Sequence, residues 1–216
     1  PYRSRYIAEN FLEDAVRYNE IRGMFGYTGT YAGLRVSVQT SGVGMPSMDL
    51  FAHELITGYG ADTLIRIGTC GSMLEEIKNR DLVLAMSAST DSAMNSYRLK
   101  GTYAPCADYG LLSAAHSIAK NRGHNVYCGN VLSTDAFYAA DPDDWKNWAD
   151  YNVMAVEMEA SALYTTAARH RARALAILTV TDQFADGALL SAAERETTLD
   201  EMIELGLSTL LAAART

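Results

Sequence analysis

The 216-residue sequence has little cysteine, little proline and no long apolar run. Its three cysteines, Cys70, Cys106 and Cys128, form no C-x-x-C pair and are odd in number, which argues against a disulfide framework. We therefore expect a reduced, cytoplasmic setting and interpret Cys70 as a buried, inert thiol. No stretch is long enough to cross a bilayer and no signal-peptide pattern opens the chain, so we expect no membrane partner.

Positive charge is also scarce. The chain carries 18 Lys and Arg against 26 Asp and Glu, for a formal net charge of −8. Because no basic run offsets this charge, it argues against a general affinity for nucleic acid, and we expect no nucleic-acid partner. The four histidines show no metal-ligand or catalytic-triad spacing, so we predict no metal site. The length suits one domain over residues 1–216, and because Pro1 is not an initiator residue we expect a segment before it.

The sequence alternates helical and strand patterns. Strands are predicted at residues 27–31, 34–40, 62–72, 81–88, 126–132, 153–156 and 174–181. Helices are predicted at residues 6–15, from Pro46 to Gly58 or Gly60, at 111–119, from Asp141, at 160–170, and from the capping-box sequence Ser191–Glu194 onward. This alternation predicts a single-domain α/β fold with a mixed, mostly parallel central sheet flanked by helices, with ligands bound at the strand ends.

Arg66 lies inside the apolar strand predicted for residues 62–72. A guanidinium in a buried strand is costly unless an anion or a carboxylate meets it. Gly68 and Gly71 permit close backbone approach and Thr69 adds a hydroxyl donor, so this stretch suits a phosphate or a similar oxyanion. The alternative is an Arg66 that extends from an edge strand into solvent beside an ordinary turn.

Carboxylates follow two later strands. Asp182 can act as a general acid or simply cap the turn that it begins. Glu157 and Glu159 point the same way if the strand continues through them and diverge if a helix has begun. Beside Met158 they suit a sugar, although an acidic first helical turn in solvent explains them equally well. Arg195, in the first turn of the last helix, either pairs with a carboxylate such as Asp182 or is an exposed arginine.

Several blocks, in order along nearly the whole chain, resemble the nucleoside phosphorylase family, which includes purine nucleoside and uridine phosphorylases. The first is Gly42–Ser47, followed by Glu54 and Leu55. The other blocks resemble its hexameric bacterial purine nucleoside phosphorylase branch, and they are Tyr6–Glu9 with Phe11–Asp14, Arg22–Met24, Tyr27–Tyr31, Arg66–Gly71, Val156–Ala160 and Ala193–Arg195.

The resemblance implies reversible phosphorolysis of purine nucleosides, with inorganic phosphate as co-substrate and no cofactor. It implies a homo-oligomer, a hexamer built as a trimer of dimers, in which Arg22 is lent to the neighbouring subunit. It implies that Asp182 protonates purine N7 with support from Arg195. The remaining implied ligands are Arg3, Arg22, Arg66 and Thr69 for phosphate, Met158 and Glu159 for ribose, and Phe137, Val156, Glu157, Cys70 and Gly71 for the base.

The chain departs from the family pattern at several places. The family's amino-terminal strand, its phosphate loop and a histidine lent to the adjacent site all precede Pro1. Thr69 stands where serine is usual, which keeps the hydroxyl, and Val43 replaces a methionine near the ribose. The loop after Asp182 also differs, so the sequence leaves open the choice among adenosine, inosine, guanosine and their deoxy analogues.

Three rival functions follow from the same fold. A uridine phosphorylase would carry a Gln and Arg pair for uracil, and none is found between Ser133 and Tyr138. A nucleosidase would use water instead of phosphate, against which Arg66 and Arg22 argue. A non-enzymatic storage or binding relative would have no need of a set such as Arg66, Glu159, Asp182 and Arg195.

Overall fold

The computed structural model describes residues 2–191 and 199–215. The α-helices in these ranges are α1 (Tyr2–Phe11), α2 (Met45–Tyr59), α3 (Tyr109–Asn121), α4 (Asp144–Asp150), α5 (Ala160–His170) and α6 (Asp200–Ala213). The strands are β1 (Glu13–Asn19), β2 (Gly26–Tyr31), β3 (Leu34–Gln39), β4 (Thr63–Ser72), β5 (Leu82–Thr90), β6 (Val126–Ser133), β7 (Ala155–Glu157) and β8 (Arg173–Gln183). In this part of the chain no helix has the length and apolar character needed to cross a membrane.

Five strands close into a barrel in the order β4-β7-β6-β5-β8. The β4–β8, β5–β6 and β6–β7 pairs are parallel, whereas β4–β7 and β5–β8 are antiparallel. A separate antiparallel sheet has the order β1-β2-β3. The predicted α/β fold, with a mixed and mostly parallel sheet flanked by helices, is confirmed.

Two predicted connections are confirmed in detail. The β2–β3 hairpin turns at Ala32 and Gly33, both with positive φ (47° and 83°). A two-residue type I′ turn, which matches the right-handed twist of the two strands, requires positive φ at both positions. Helix α2 has Pro46 in its first turn and ends at Gly60, whose φ of 72° gives a left-handed C-cap.

The prediction of one helix through residues 6–15 is wrong at its end. Helix α1 stops at Phe11, and β1 begins at Glu13 and pairs with β2. Asp14 takes a positive φ of 51° in an irregular stretch of the β1–β2 pairing. Nearly every β1 side chain is exposed, so the strand leaves no apolar–polar alternation in the sequence, and the helical spacing of the preceding residues extends past the true end.

Buried hydrogen bonds join the barrel to helix α5. Tyr164 of α5 is 1% exposed; its hydroxyl donates to the Ala85 carbonyl of β5 (2.5 Å) and accepts from the Ala176 amide of β8 (2.9 Å). Burial raises the pKa of this phenol, which keeps it neutral and able to donate. These bonds hold α5, and with it the loop before it, in a fixed position against the strand ends.

Candidate active site

The ends of three strands meet at the carboxyl end of β4. Gly71 of β4 pairs with Val156 of β7 on one side and with Asp182 of β8 on the other. Ser133, the last residue of β6, pairs with Glu157. Sequence segments more than 100 positions apart are thereby brought to one edge of the barrel, where an α/β fold places its ligands.

Arg66 of β4 forms a buried ion-pair cluster with two glutamates at this edge. Its Nε lies 3.0 Å from Glu157 Oε2, and its Nη2 contacts Glu159 Oε2. The three side chains are 11%, 0% and 7% exposed, so Arg66 does not extend into solvent and neither glutamate belongs to a solvated helical turn. Burial alone would lower the pKa of Arg66, but the charges of Glu157 and Glu159 raise it above its ordinary value.

The guanidinium of Arg66 lies directly over Gly68. A Cβ at this position would be 2.7 Å from Cζ of Arg66, well inside van der Waals contact. The predicted need for close approach at Gly68 is therefore met by the protein's own arginine, whose side chain runs along β4 towards the carboxyl end of the strand.

The carboxylate of Glu157 is saturated by protein donors. Beside Arg66 it accepts from the Ser133 hydroxyl, from the Glu159 amide at 2.8 Å and from the Ala160 amide at 2.9 Å. It thus caps the start of α5 and fixes the Arg66 side chain at once. Its part in the wall around a base stays a prediction.

Glu159 links the Arg66 cluster to the turn before α2. Its Oε1 accepts from the Gly44 amide at 2.7 Å while Oε2 contacts Arg66. Gly44 has a φ of 87°, a conformation that glycine adopts without strain. A carboxylate held on one oxygen by an amide and on the other by a guanidinium keeps free lone pairs in a fixed direction, as the binding of sugar hydroxyls requires.

Arg3 of α1 is the second cation at the cluster. Its Nη1 donates to the Ile67 carbonyl at 3.1 Å, and its buried Nε has no hydrogen-bond partner among the described residues. Burial first, and the nearby positive charge of Arg66 second, lower its pKa to about 10, and Glu159 only partly opposes them. Both arginines line a cavity of about 1430 Å³ bordered by β3 and β4. A charged group with an unused donor beside another cation is suited to an anion from solution.

Replacing Arg3 by Met tests this interpretation. At neutral pH the folded protein carries the Arg3 charge at a cost of up to about 3 kcal/mol, because its pKa is lowered in the folded state only; the cost is fully present below about pH 10 and declines only as the pH rises from there towards the ordinary pKa of arginine. We expect Arg3→Met to raise the unfolding free energy in urea and to abolish the stabilisation by added phosphate that the wild type shows. Arg5→Met, at an exposed position of the same helix, should retain the phosphate response. An Arg3→Met protein that is less stable and still responds to phosphate would contradict the assignment.

Cys70 precedes Gly71 near the carboxyl end of β4 and pairs with Val180 of β8. Its thiol is 4% exposed and donates to the Thr179 carbonyl at 3.8 Å. Burial, and after it the charge of Glu157, raise the pKa of this thiol, and Arg66 and Asp182 also lie within electrostatic range. The thiol is thus buried and protonated, and a nucleophilic role does not fit it. All three cysteines are free thiols.

Asp182 is the second-last residue of β8 and pairs with Gly71 of β4. Its Oδ2 accepts from the Thr181 hydroxyl at 2.9 Å, and its backbone bridges to Leu189 as the chain turns back. Gln183, 1% exposed, fixes this turn because its side chain donates to the Glu75 carbonyl at 3.1 Å. The half-buried carboxylate is therefore carried on a braced strand end, which suits a group that must meet a substrate in one geometry.

The apolar wall next to Asp182 contains a residue that sequence reasoning missed. The ring of Phe184 lies over Gly71: a Cβ on Gly71 would be 3.1 Å from Cε2 and Cζ of the ring and 3.5 Å from Val156 Cγ1. Trp145 of α4 stacks on the same ring, with centroids 5.9 Å apart and planes 29° apart. Phe184 directly follows β8, and its place two residues after Asp182 is the sequence signal for it, since alternate residues of an extended chain share a face.

Other predicted site residues are less enclosed. Thr69 in β4 and Met158 between β7 and α5 are half-buried. Phe137 is 72% exposed against Tyr138, and Val43 is 75% exposed. Arg22 is exposed on a short turn at Ile21–Gly23 with a positive φ of 56°. Arg195 and residues 192–194 of the predicted capping box lie outside the described residues. The functional roles of all these residues stay predictions.

Comparison with known proteins places these features in a family. The model of the Phosphorylase superfamily matches residues 1–214. A purine nucleoside phosphorylase, DeoD-type, of Clostridium beijerinckii is 52% identical over 211 residues, which cover 97% of this chain and 89% of that protein. The DeoD-type purine nucleoside phosphorylase of Caldanaerobacter subterraneus is 53% identical over 208 residues, covering 96% and 90%.

A solved structure gives the same fold at lower sequence similarity. The uridine phosphorylase of Vibrio fischeri, complexed with 6-hydroxy-1-naphthoic acid, superposes with a TM-score of 0.87 at 24% identity, covering 98% of this chain and 88% of that one. At this identity the likeness supports the architecture alone. Among the residues described here, no three His, Cys, Asp or Glu side chains are grouped so as to hold a metal ion.

Proposed function

The chain belongs to the phosphorylase superfamily, and we propose that it catalyses the reversible phosphorolysis of purine ribonucleosides and deoxyribonucleosides to a free base and a pentose 1-phosphate. Relatives that are 52% and 53% identical over nearly the whole chain are purine nucleoside phosphorylases. The observation that carries the proposal is the buried Arg66, held by Glu157 and Glu159 beside the unpaired Nε of Arg3. This cluster supplies an anion site and, in contact with it, a carboxylate that can bind a sugar.

Phosphate is the attacking group in this proposal. Arg3 and Arg66 bind it by charge-assisted hydrogen bonds, Thr69 adds its hydroxyl, and Arg22 of a neighbouring subunit completes the set. Because Glu157 already holds Nε of Arg66, the guanidinium is oriented before phosphate arrives. The dianion then stabilises the positive charge that develops on the sugar and attacks it.

The sugar lies between Met158 and Glu159. Glu159 accepts hydrogen bonds from the 2′- and 3′-hydroxyls, and the Met158 thioether covers the apolar face of the ring. Breakage of the bond from C1′ to N9 passes through a ribosyl cation-like state, as in glycoside cleavage. Holding the sugar hydroxyls beside phosphate keeps C1′ in line for attack.

The departing purine gains negative charge, which a proton from Asp182 to N7 relieves, with Arg195 supporting Asp182. Val156, Cys70 and Gly71 at the strand ends, with Glu157 and Phe137, form the wall around the base. The reaction transfers a pentosyl group between nitrogen and oxygen, so phosphate is a co-substrate and no step needs a cofactor or a metal.

We further propose a homohexamer built as a trimer of dimers. Arg22 lies exposed on a turn between β1 and β2, so its side chain can reach a neighbouring subunit but is not buried in its own. A site completed across an interface makes activity depend on assembly. The three free cysteines fit the reduced cytoplasm as the cellular setting.

A phosphate-dependent assay on inosine, adenosine and uridine tests the proposed function. We expect free base and pentose 1-phosphate from inosine and adenosine only when phosphate is present, with uridine the poorest substrate. Base release without phosphate would indicate a nucleosidase, and preference for uridine a uridine phosphorylase. Absence of turnover with all three nucleosides would favour a binding protein.

A further inference from the structure

Trp145 is not among the residues proposed to bind phosphate or sugar or to donate the proton. It contacts the site through the ring of Phe184. It lies in α4, and its indole stacks on Phe184, with ring centroids 5.9 Å apart and planes 29° apart. The Cε2–Cζ edge of that phenyl ring in turn covers Gly71 beside Val156. The Phe184 ring is therefore held between an indole and the strand end that faces Asp182.

Trp145 is itself anchored. It packs on a cluster whose buried members are Met73, Leu132 and Val153, located after β4, within β6 and before β7. Trp148, one helical turn further along α4, packs on the same cluster. The two tryptophans thus share a supporting role, and stacking on Phe184 distinguishes Trp145.

The backbone at Phe184 is fixed by a hydrogen bond, whereas the side chain has one side open to solvent. The Phe184 amide donates to the Ser72 carbonyl at 3.0 Å, which sets the position of Cα. The side chain is 41% exposed, so solvent on its open side leaves other staggered rotamers accessible. Contact with the indole selects the rotamer that lies over Gly71, because offset aromatic stacking adds to simple burial.

We propose that Trp145 is a positioning residue for the nucleobase: by stacking on Phe184 it holds that ring over Gly71, so that a planar purine meets a preformed aromatic wall two residues from Asp182. This inference rests on the proposed function. Preorganised rings bind a ligand without the entropy cost of ordering them on arrival. The effect should appear in nucleoside binding and leave the phosphate site unchanged.

Steady-state kinetics of Trp145→Leu and Trp148→Leu separate positioning from support, since both remove an indole from the same cluster. We expect Trp145→Leu to raise KM for inosine about 3- to 10-fold, the scale of one aromatic pair, while kcat and KM for phosphate stay within about twofold. Trp145→Phe should restore most of the loss, and Trp148→Leu should keep the wild-type KM. Equal KM values in the two leucine variants of an active enzyme would overturn the role of Trp145.

A spectroscopic measurement covers the case in which Trp145→Leu fails to fold. The chain has two tryptophans, so Trp148→Phe leaves Trp145 as its one indole. Titration with hypoxanthine should change the emission of Trp145, and Phe184→Leu in the same background should abolish that change. Hypoxanthine binding at saturation without any emission change would overturn the inference. A wild-type enzyme inactive on inosine with phosphate would instead overturn the proposed function.

Discussion

Asp182→Asn is expected to lower kcat for adenosine about 10²- to 10⁴-fold, the usual contribution of a general acid. Asn keeps the size of the side chain and can accept from the Thr181 hydroxyl as Asp182 does, but it cannot deliver a proton to N7. The loss should be smaller for inosine, since the adenine ring depends more on protonation to leave. Turnover at saturating phosphate, followed by separation of base from nucleoside, measures both substrates.

The matched control for this variant is Asp186→Asn, the same chemical change four residues along the loop. Asp186 is exposed, accepts from the Ala188 amide at 2.9 Å and lies 3.7 Å from Lys78 Nζ, so it braces the loop at its outer side. It should leave adenosine turnover within about threefold of wild type, as surface changes usually do. Near-normal adenosine turnover in Asp182→Asn would refute the proton-donor role, and equal losses in both variants would assign the effect to the loop.

Arg66→Met is expected to reduce the unfolding free energy by about 3–5 kcal/mol, because it leaves Glu157 and Glu159 buried without their cation. It should also weaken phosphate binding by about 1.5–3 kcal/mol, the scale of a hydrogen bond to a charged group. Urea unfolding measures the first effect, and the KM for phosphate or its isothermal titration measures the second. The larger effect is structural, since Arg66 neutralises two carboxylates before it meets any ligand.

Two further variants separate these effects. Arg98→Met removes a more exposed pair, with Arg98 Nη2 2.5 Å from Asp49 Oδ2 and side chains 31% and 19% exposed, so solvent screening should limit the loss to about 1 kcal/mol. Adding Glu157→Gln and Glu159→Gln to Arg66→Met should recover part of the lost stability and none of the phosphate binding. An Arg66→Met protein as stable as Arg98→Met would contradict the buried cluster, and an unchanged phosphate requirement would remove Arg66 from the site.

Local chemistry accounts for what the sequence predicts well. The turn at Ala32 and Gly33, the proline start and glycine end of α2 and the apolar run before Asp182 each depend on residues a few positions apart. Strand β1 was missed because its exposed side chains follow no period and its pairing with β2 is made by backbone atoms. Local patterns therefore determine elements whose side chains face a core, and fail where the backbone alone makes the contact.

The sequence by itself determined the α/β alternation, the family, and which residue types stand at the strand ends. Only the tertiary structure decided what those residues face: that Arg66 turns to Glu157 and Glu159, that Arg3 has a buried and unpaired Nε, and that Phe184 lies between Trp145 and Gly71. The reason is physical, because Arg66 and Glu157 are 91 positions apart and their pairing is set by strand register in the closed barrel. A local sequence pattern is compatible with several orientations and partners for a side chain. Packing in the folded protein leaves only one of them.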